Sequence, residues 1–277
     1  DLLQRPRGAM VIDLFGLSEQ EVMERFPEVY QHVLTTVKPE RDQNNRASYR
    51  DSWWIFGEPR RELRPALEGL EHYIGTTETS KHRVFTWLDD NVLADNMIVV
   101  IASPEAADFG VLSSDIHAEW ALERGGTLED RPRYSKSQVF DPFPFPAQSE
   151  AVAEVAERLD TARRAALEEN PSLTMTGLYN LVAPIRAGAL QPEQEAAATA
   201  ARAFIVAKLH DDLDAAVADA YGWGEDWRRA PLPPAEIVRR LVALNAERAA
   251  EEREGKIRWL RPDYQIPRFG AKTSSPR

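Results

Sequence analysis

Three prolines fall within five residues, at Pro142, Pro144 and Pro146, in the stretch FDPFPFPAQSE that spans 140–150. Proline lacks an amide proton and its ring fixes φ, so neither a helix nor a central strand runs through such a stretch. It reads as a boundary linker, and the grain of the chain changes across it. Upstream lie short apolar runs, tryptophans and Gly/Pro punctuation; downstream lie Ala, Glu, Arg and Leu at helical spacing. A chain of 277 residues is long enough for one large domain or two ordinary ones, each with a real core.

Upstream, HYIG, HRVFTWL, NMIVVIA and FGVL are rich in β-branched and aromatic residues and predict strands. SSDIHAEWALERGG predicts a helix capped by Ser113 or Ser114 and ended by Gly125–Gly126. LSEQEVMERFPEVYQHVLTTV predicts another, opened by a Ser18/Glu21 capping box and limited or kinked at Pro27. Downstream, residues 150–169 predict an amphipathic helix, and SLTMTGLYNLVAPIRAG a second, broken near Pro184. A long third covers 192–221, with Ile205, Leu209, Leu213, Val217 and Tyr221 four apart, and a fourth starts at Pro233–Pro234 and carries Ile237, Leu241 and Leu244. The expected class is α/β (α+β): a mixed-sheet domain followed by a mostly helical one.

Composition excludes several roles. The chain has no cysteine, hence no disulfide and no thiolate metal site, which fits a reducing cytoplasm. No run of about eighteen apolar residues is present to span a membrane. The net charge is −11; residues 1–150 carry 16 Lys and Arg against 26 Asp and Glu, and residues 151–277 carry 18 against 19. Such an average field opposes indiscriminate binding to polyanions, so any nucleic-acid contact must come from local clusters.

The five histidines (32, 72, 82, 117 and 210) are scattered, without the paired spacing of a metal site. The aspartates of LHDDLDAAVADAYGW lack the glycine and terminal glutamate of a calcium loop and read as a solvated helix face. DLFGLSE and DFGVLSS hold one glycine each, too few to cradle a nucleotide. Basic residues gather in four places: KPERDQNNRASYR (Lys38, Arg41, Arg46, Arg50), EPRRELR (Arg60, Arg61, Arg64), SKHRVF (Lys81, His82, Arg83) and RPRYSKS (Arg131, Arg133, Lys136). Arg reads guanine and Asn or Gln reads adenine through paired hydrogen bonds, while Lys and Ser settle phosphates. The competing account is solvated loops with structural ion pairs, because acids adjoin each cluster.

KPERDQNNRASYRDSWWIFGEPRRELRPAL, with YIGTTETSKHRVFTWLD, FGVLSSDIHAEWAL and RPRYSKSQVFDPFPFP, resembles the target-recognition region of Type IIG-like adenine-specific DNA methyltransferases of bacterial restriction–modification and phage defence. LHDDLDAAVADAYGW and LVALNAERAAEEREGKIRWLRPDYQ are similar to the helical C-terminal region of that family. The resemblance implies a connector from a methyltransferase domain at 1–37, a recognition domain at 38–147 and a helical domain at 148–277. It also implies double-stranded DNA as partner, and S-adenosylmethionine as cofactor of a domain upstream. The family's cofactor loop and Asn-Pro-Pro-Tyr motif are missing from the chain, which opens in DLLQRPRGAMVIDLFG like the interior of something longer, and NPSL at Asn170 does not replace that motif. The chain by itself is therefore expected to hold no catalytic, cofactor or metal residue and to be inactive alone. The residues expected to meet DNA are Arg46, Arg60, Arg61, Lys81, Arg83, Arg131, Arg133 and Lys136. Arg83 and Arg133 are expected to read bases, and Lys81 and Lys136 to hold phosphates, with the clusters at 81–83 and 131–136 sharing one face. Trp53, Trp54 and Phe56 are expected to form a packing anchor. Two rival readings are a protein-interaction or specificity subunit, which would scatter the basic clusters, and a hydrolase, for which no nucleophile–base pair is visible.

Overall fold

The Glu21 amide donates to Ser18 Oγ at 3.2 Å and the Ser18 amide to the Glu21 carboxylate at 2.7 Å, so the expected capping box opens the first helix, α1 (Glu19–Arg25). Pro27 ends that run by starting α2 (Pro27–Thr36) at the position where a missing amide proton costs nothing. Three short helices follow: α3 (Lys38–Arg41), α4 (Ala47–Asp51) and α5 (Leu63–Leu67). The structure, a computed structural model, describes residues 2–4, 7–128 and 131–270. The parts of the three expected domains at 1, 5–6, 129–130 and 271–277 lie outside the described residues.

Compactness divides the chain after Glu68: one unit is Arg7–Glu68, and the other gathers everything from Gly69 on with the first few residues. In Arg7–Glu68, Leu14, Val22, Val33 and Trp53 form a small core. Trp53 lies 5.8 Å from Tyr30 and 6.1 Å from Trp54, ring to ring, and Trp54 Nε1 donates to the Leu17 carbonyl at 2.9 Å. Burying one aromatic and hydrogen-bonding the other makes the tryptophans the expected anchor. Phe56 does not join them; it is 39% exposed.

The larger unit is built on a three-stranded sheet of β1 (His72–Thr77), β2 (Thr86–Asp89) and β3 (Ile98–Ile101), in the order β2-β1-β3. Both pairings are antiparallel, with Ile74 opposite Trp87 and Ile101, so the sheet is not mixed as expected. FGVL is not a strand; it lies in α6 (Ala106–Ser113), where seven of the eight residues are buried. A short apolar run buried on all sides has no periodicity to separate strand from helix. Gly110 allows that burial: a Cβ there would lie 2.7 Å from Val152 Cγ1. α7 (Asp115–Gly125) starts at Ser114 as expected and ends at Gly126, whose φ is +65°. A two-residue hairpin, β4 (Thr127–Leu128) with β5 (Arg131–Pro132), and a π-helical turn at Lys136–Phe140 complete this part.

The proline stretch is a strap across this unit and not a linker. Phe143 is buried against His117, 4.3 Å away ring to ring, and Trp120. The carbonyls of Pro142 and Pro144 accept from Asn245 Nδ2 at 2.5 Å and Tyr221 OH at 3.0 Å. Beyond it run α8 (Glu150–Glu169), α9 (Met175–Arg186), α10 (Glu195–Ala200), α11 (Ala203–Ala220), α12 (Gly224–Arg229), α13 (Pro234–Arg253) and α14 (Pro262–Phe269). Pro184 does not break α9: the helix needs only two further residues after it. The long third helix is split, because Arg202 takes left-handed φ at 54° between α10 and α11. The aspartates after His210 are not one solvated face either. Asp211 is exposed, but His210 and Asp214 are buried, one turn apart. Ile205, placed in the apolar row, is exposed, whereas Leu209, Leu213 and Val217 are buried.

Candidate nucleic-acid interface

The connection from β1 to β2 carries Lys81, His82 and Arg83, and β5 leads into Arg133 and Lys136. Backbone hydrogen bonds join the two segments: Thr79 bridges Arg133, and the Tyr134 amide donates to the Glu78 carbonyl at 2.7 Å. The junction needs glycine at 125, since a Cβ there would lie 2.1 Å from the Arg133 carbonyl oxygen. Two basic clusters separated by about fifty positions thus meet on one cavity of about 210 Å³, whose lining includes Lys81, Arg83 and Arg133. Lys136 does not line it; it sits outside in an exposed pair with Asp141 at 3.1 Å.

Arg83 is not placed as a base reader. Its guanidinium donates to Thr76 Oγ1 at 3.1 Å, to the Thr77 carbonyl and to the Pro132 carbonyl at 3.1 Å, and it lies 5.0 Å from the Tyr134 ring centroid. Burial pulls its pKa down to about 10, still charged at neutral pH. A cation braced by three internal acceptors ties the two loops together and has little left to offer a base edge. Behind it, Tyr134 OH meets His117 Nε2 at 3.0 Å. Burial, with the Arg83 charge adding to it, holds His117 down to about 3, so it is neutral; burial also raises the Tyr134 phenol.

The remaining candidates are exposed, apart from a half-buried Arg60. Lys81 Nζ and His82 Nε2 both donate to Asn180 Oδ1 of α9, at 2.7 and 2.9 Å. Arg133 pairs with Glu78 at 2.6 Å, and its side chain is half exposed. Arg131 is exposed on β5. In the separate unit Arg7–Glu68, Arg46 pairs with Glu58 at 3.0 Å, Arg60 adopts φ 50° ahead of α5, and Arg61 is exposed.

Sequence reasoning missed the interior polar groups that hold these loops. Arg163 is buried in α8 and donates to the Phe85 carbonyl at 3.1 Å. Arg186 binds Asp115, Asp211 and Asp214 at 2.9, 3.0 and 2.5 Å. Burial and the Asp115 carboxylate push the Asp214 carboxyl up, while Arg186 and the Asp115 amide act against them. Tyr179 OH lies 2.6 Å from His210 Nε2. One signal was available: Val206, His210, Leu213 and Val217 follow helical spacing, which puts the histidine on the buried stripe. Among the described residues no group of three or more His, Asp or Glu is placed to hold a metal, and no helix is long and apolar enough to cross a membrane.

An antiparallel sheet with loops braced onto a helical layer defines an α+β fold. Residues 17–147 match the family model described as the target recognition domain of MmeI, which supports the target-recognition part of the resemblance over those residues. A solved structure, that of the Type IIL restriction-modification enzyme MmeI in complex with DNA, is similar over 86% of this chain at 23% identity and a TM-score of 0.61. This chain spans 28% of the length of that one, and what the likeness establishes is the fold. No curated protein matches the chain.

Proposed function

We propose that the chain recognises a duplex DNA sequence on behalf of a restriction–modification enzyme, in the cytoplasm, where it directs methylation of adenine N6. The match of residues 17–147 to a target recognition domain carries this reading. The chemistry of the loops supports it: in a chain of net charge −11, Lys81, Arg83 and Arg133 gather on one cavity. Local concentration of cations is what a polyanion needs where the average field opposes it.

In this reading the division of labour follows exposure. Lys81, Arg131, Arg133 and Lys136 remain candidates to meet DNA, with Arg46, Arg60 and Arg61 contributing from the other unit, and Arg83 serves as the brace that presents them. S-adenosylmethionine and the catalytic tetrapeptide come from a methyltransferase domain or subunit outside these residues, and this chain supplies specificity without chemistry. Selection from a randomised duplex pool tests the proposal. One enriched motif, bound with an affinity that falls steeply with salt, is expected. Recovery of the pool without enrichment would overturn the reading.

A further inference from the structure

The cavity between the β1–β2 connection, α7, α9 and α11 gathers more donors than acceptors. Its lining includes four cationic side chains (Lys81, Arg83, Arg133 and Arg186), two histidines (His82 and His210) and one acid, Asp115. Arg186 is already taken up by Asp115, Asp211 and Asp214, which leaves Lys81 and Arg133 as the cations at the mouth. Two buried polar atoms on lining residues have no partner: Ser113 Oγ and His210 Nδ1. Arg163 approaches His210 Nε2 at 3.4 Å, and a guanidinium can only donate. Nε2 is therefore the acceptor, and the neutral ring carries its proton on Nδ1 as an orphan donor. Buried orphans are uncommon in native proteins and mark a place where a partner is absent.

These donors ask for an acceptor-rich, negatively charged group. About 210 Å³ falls short of the roughly 300–1,000 Å³ that encloses a drug-sized ligand. It suits one small anionic group with its nearest waters. We propose that the cavity is a phosphate subsite, its mouth formed by Lys81 and Arg133 and its floor by Ser113 and His210, which takes a backbone phosphate when duplex DNA docks. Lys81 is the mouth cation best able to turn to a phosphate, because its partner Asn180 is neutral, whereas Arg133 must leave Glu78. This deepens the DNA reading and rests on it for the source of the phosphate; a free nucleotide would present the same group.

The full chain is titrated with inorganic phosphate and, separately, with a random-sequence duplex, as wild type and as Ser113→Ala, Lys81→Ala and Lys256→Ala. Ser113→Ala removes a hydroxyl that bonds nothing, so its unfolding temperature should match the wild type. Loss of a hydrogen bond to a charged group weakens binding about ten-fold or more. That loss is expected for phosphate in Ser113→Ala and Lys81→Ala but not in Lys256→Ala. Both cavity variants should also bind the duplex less tightly, and Lys81→Ala should lower the salt slope by about one. If the duplex binds equally well to all four proteins and phosphate to none, the subsite is wrong and the DNA reading stands. Cavity-dependent binding of phosphate without any duplex binding upholds the subsite for a free phosphate and removes the DNA reading. Binding of neither overturns both.

Discussion

Arg46 and Arg83 come from clusters that look alike in the sequence, yet the two regions use their cations in opposite ways. In the unit Arg7–Glu68, Arg46 and Glu58 form a pair with both side chains mostly in water, 65% and 74% exposed. In the β1–β2 connection, Arg83 is drawn beneath the loop and spent on backbone carbonyls; nearby Arg163 is likewise inside, and half-buried Arg186 reaches the buried Asp214. The difference lies in what each chain segment leaves unsatisfied. Arg46 precedes a short surface helix whose own backbone is bonded. Arg83 enters a strand whose ladder starts only at Thr86, so carbonyls near the connection need donors from side chains. A basic cluster therefore signals a surface only where the backbone around it is already satisfied.

The sharpest way to break this contrast is to remove an interior cation. Arg186→Ala leaves Asp214, only 2% exposed, without its guanidinium, and breaking a buried pair in this way typically costs about 3–5 kcal/mol. Urea unfolding at neutral pH should show that loss. Burial already raises the Asp214 carboxyl, and the variant raises it further. A group whose folded pKa is raised binds more protons folded than unfolded, so stability falls as pH rises through the window between the two values. The deficit of Arg186→Ala should accordingly shrink toward acid. A loss below about 1 kcal/mol, or one independent of pH, would show that the interior cations behave like the surface ones.

The next effect in size belongs to His117. Its folded pKa of about 3 lies below the ordinary 6.5, so the unfolded chain binds the extra proton between those values. Stability is fully present above 6.5 and drains as pH falls toward 3. Within that window each tenfold rise in proton concentration favours the unfolded chain by about 1.4 kcal/mol, so two pH units below 6.5 remove on the order of 3 kcal/mol through this group. His117→Gln keeps a polar group near Tyr134 but cannot titrate; its stability should change less between pH 6.5 and 4.5 than that of the wild type. Parallel pH profiles would show that the interior beneath Arg83 is wetter than its packing implies.

The same contrast explains what was legible in the sequence. The Ser18/Glu21 capping box, the Pro233–Pro234 start and the Gly126 stop depend on neighbours in the chain, and these elements fell where expected. Residues 81–83 and Arg133 meet at one cavity because backbone bonds between the β1–β2 connection and the segment after β5 hold the two loops together. What could not be read depends on distant partners. FGVL became a helix because Val152, Ala156 and Leu213 surround Gly110. The proline stretch became a strap because Asn245 and Tyr221, about a hundred residues away or somewhat fewer, supply its donors. Arg83 turned inward because Pro132 offers a carbonyl from 49 positions away.

The smallest expected effect on stability is also the one that sharpens the comparison most. Exposed ion pairs are worth about 0–1 kcal/mol, because water screens the charges and both side chains lose rotamer freedom. Arg46→Ala should therefore leave the unfolding midpoint nearly unmoved, in contrast to Arg186→Ala. If Arg46 meets a phosphate on docking, as the proposed function has it, the same variant should weaken all duplexes alike and lower the salt slope by about one. A base-reading role would instead cost roughly 1–3 kcal/mol at one position of the selected motif and leave the other positions unchanged. Should Arg46→Ala lower stability as much as Arg186→Ala and leave binding intact, the exposed pair would be the structural one, and exposure would no longer separate the cations that hold the fold from those that face the DNA.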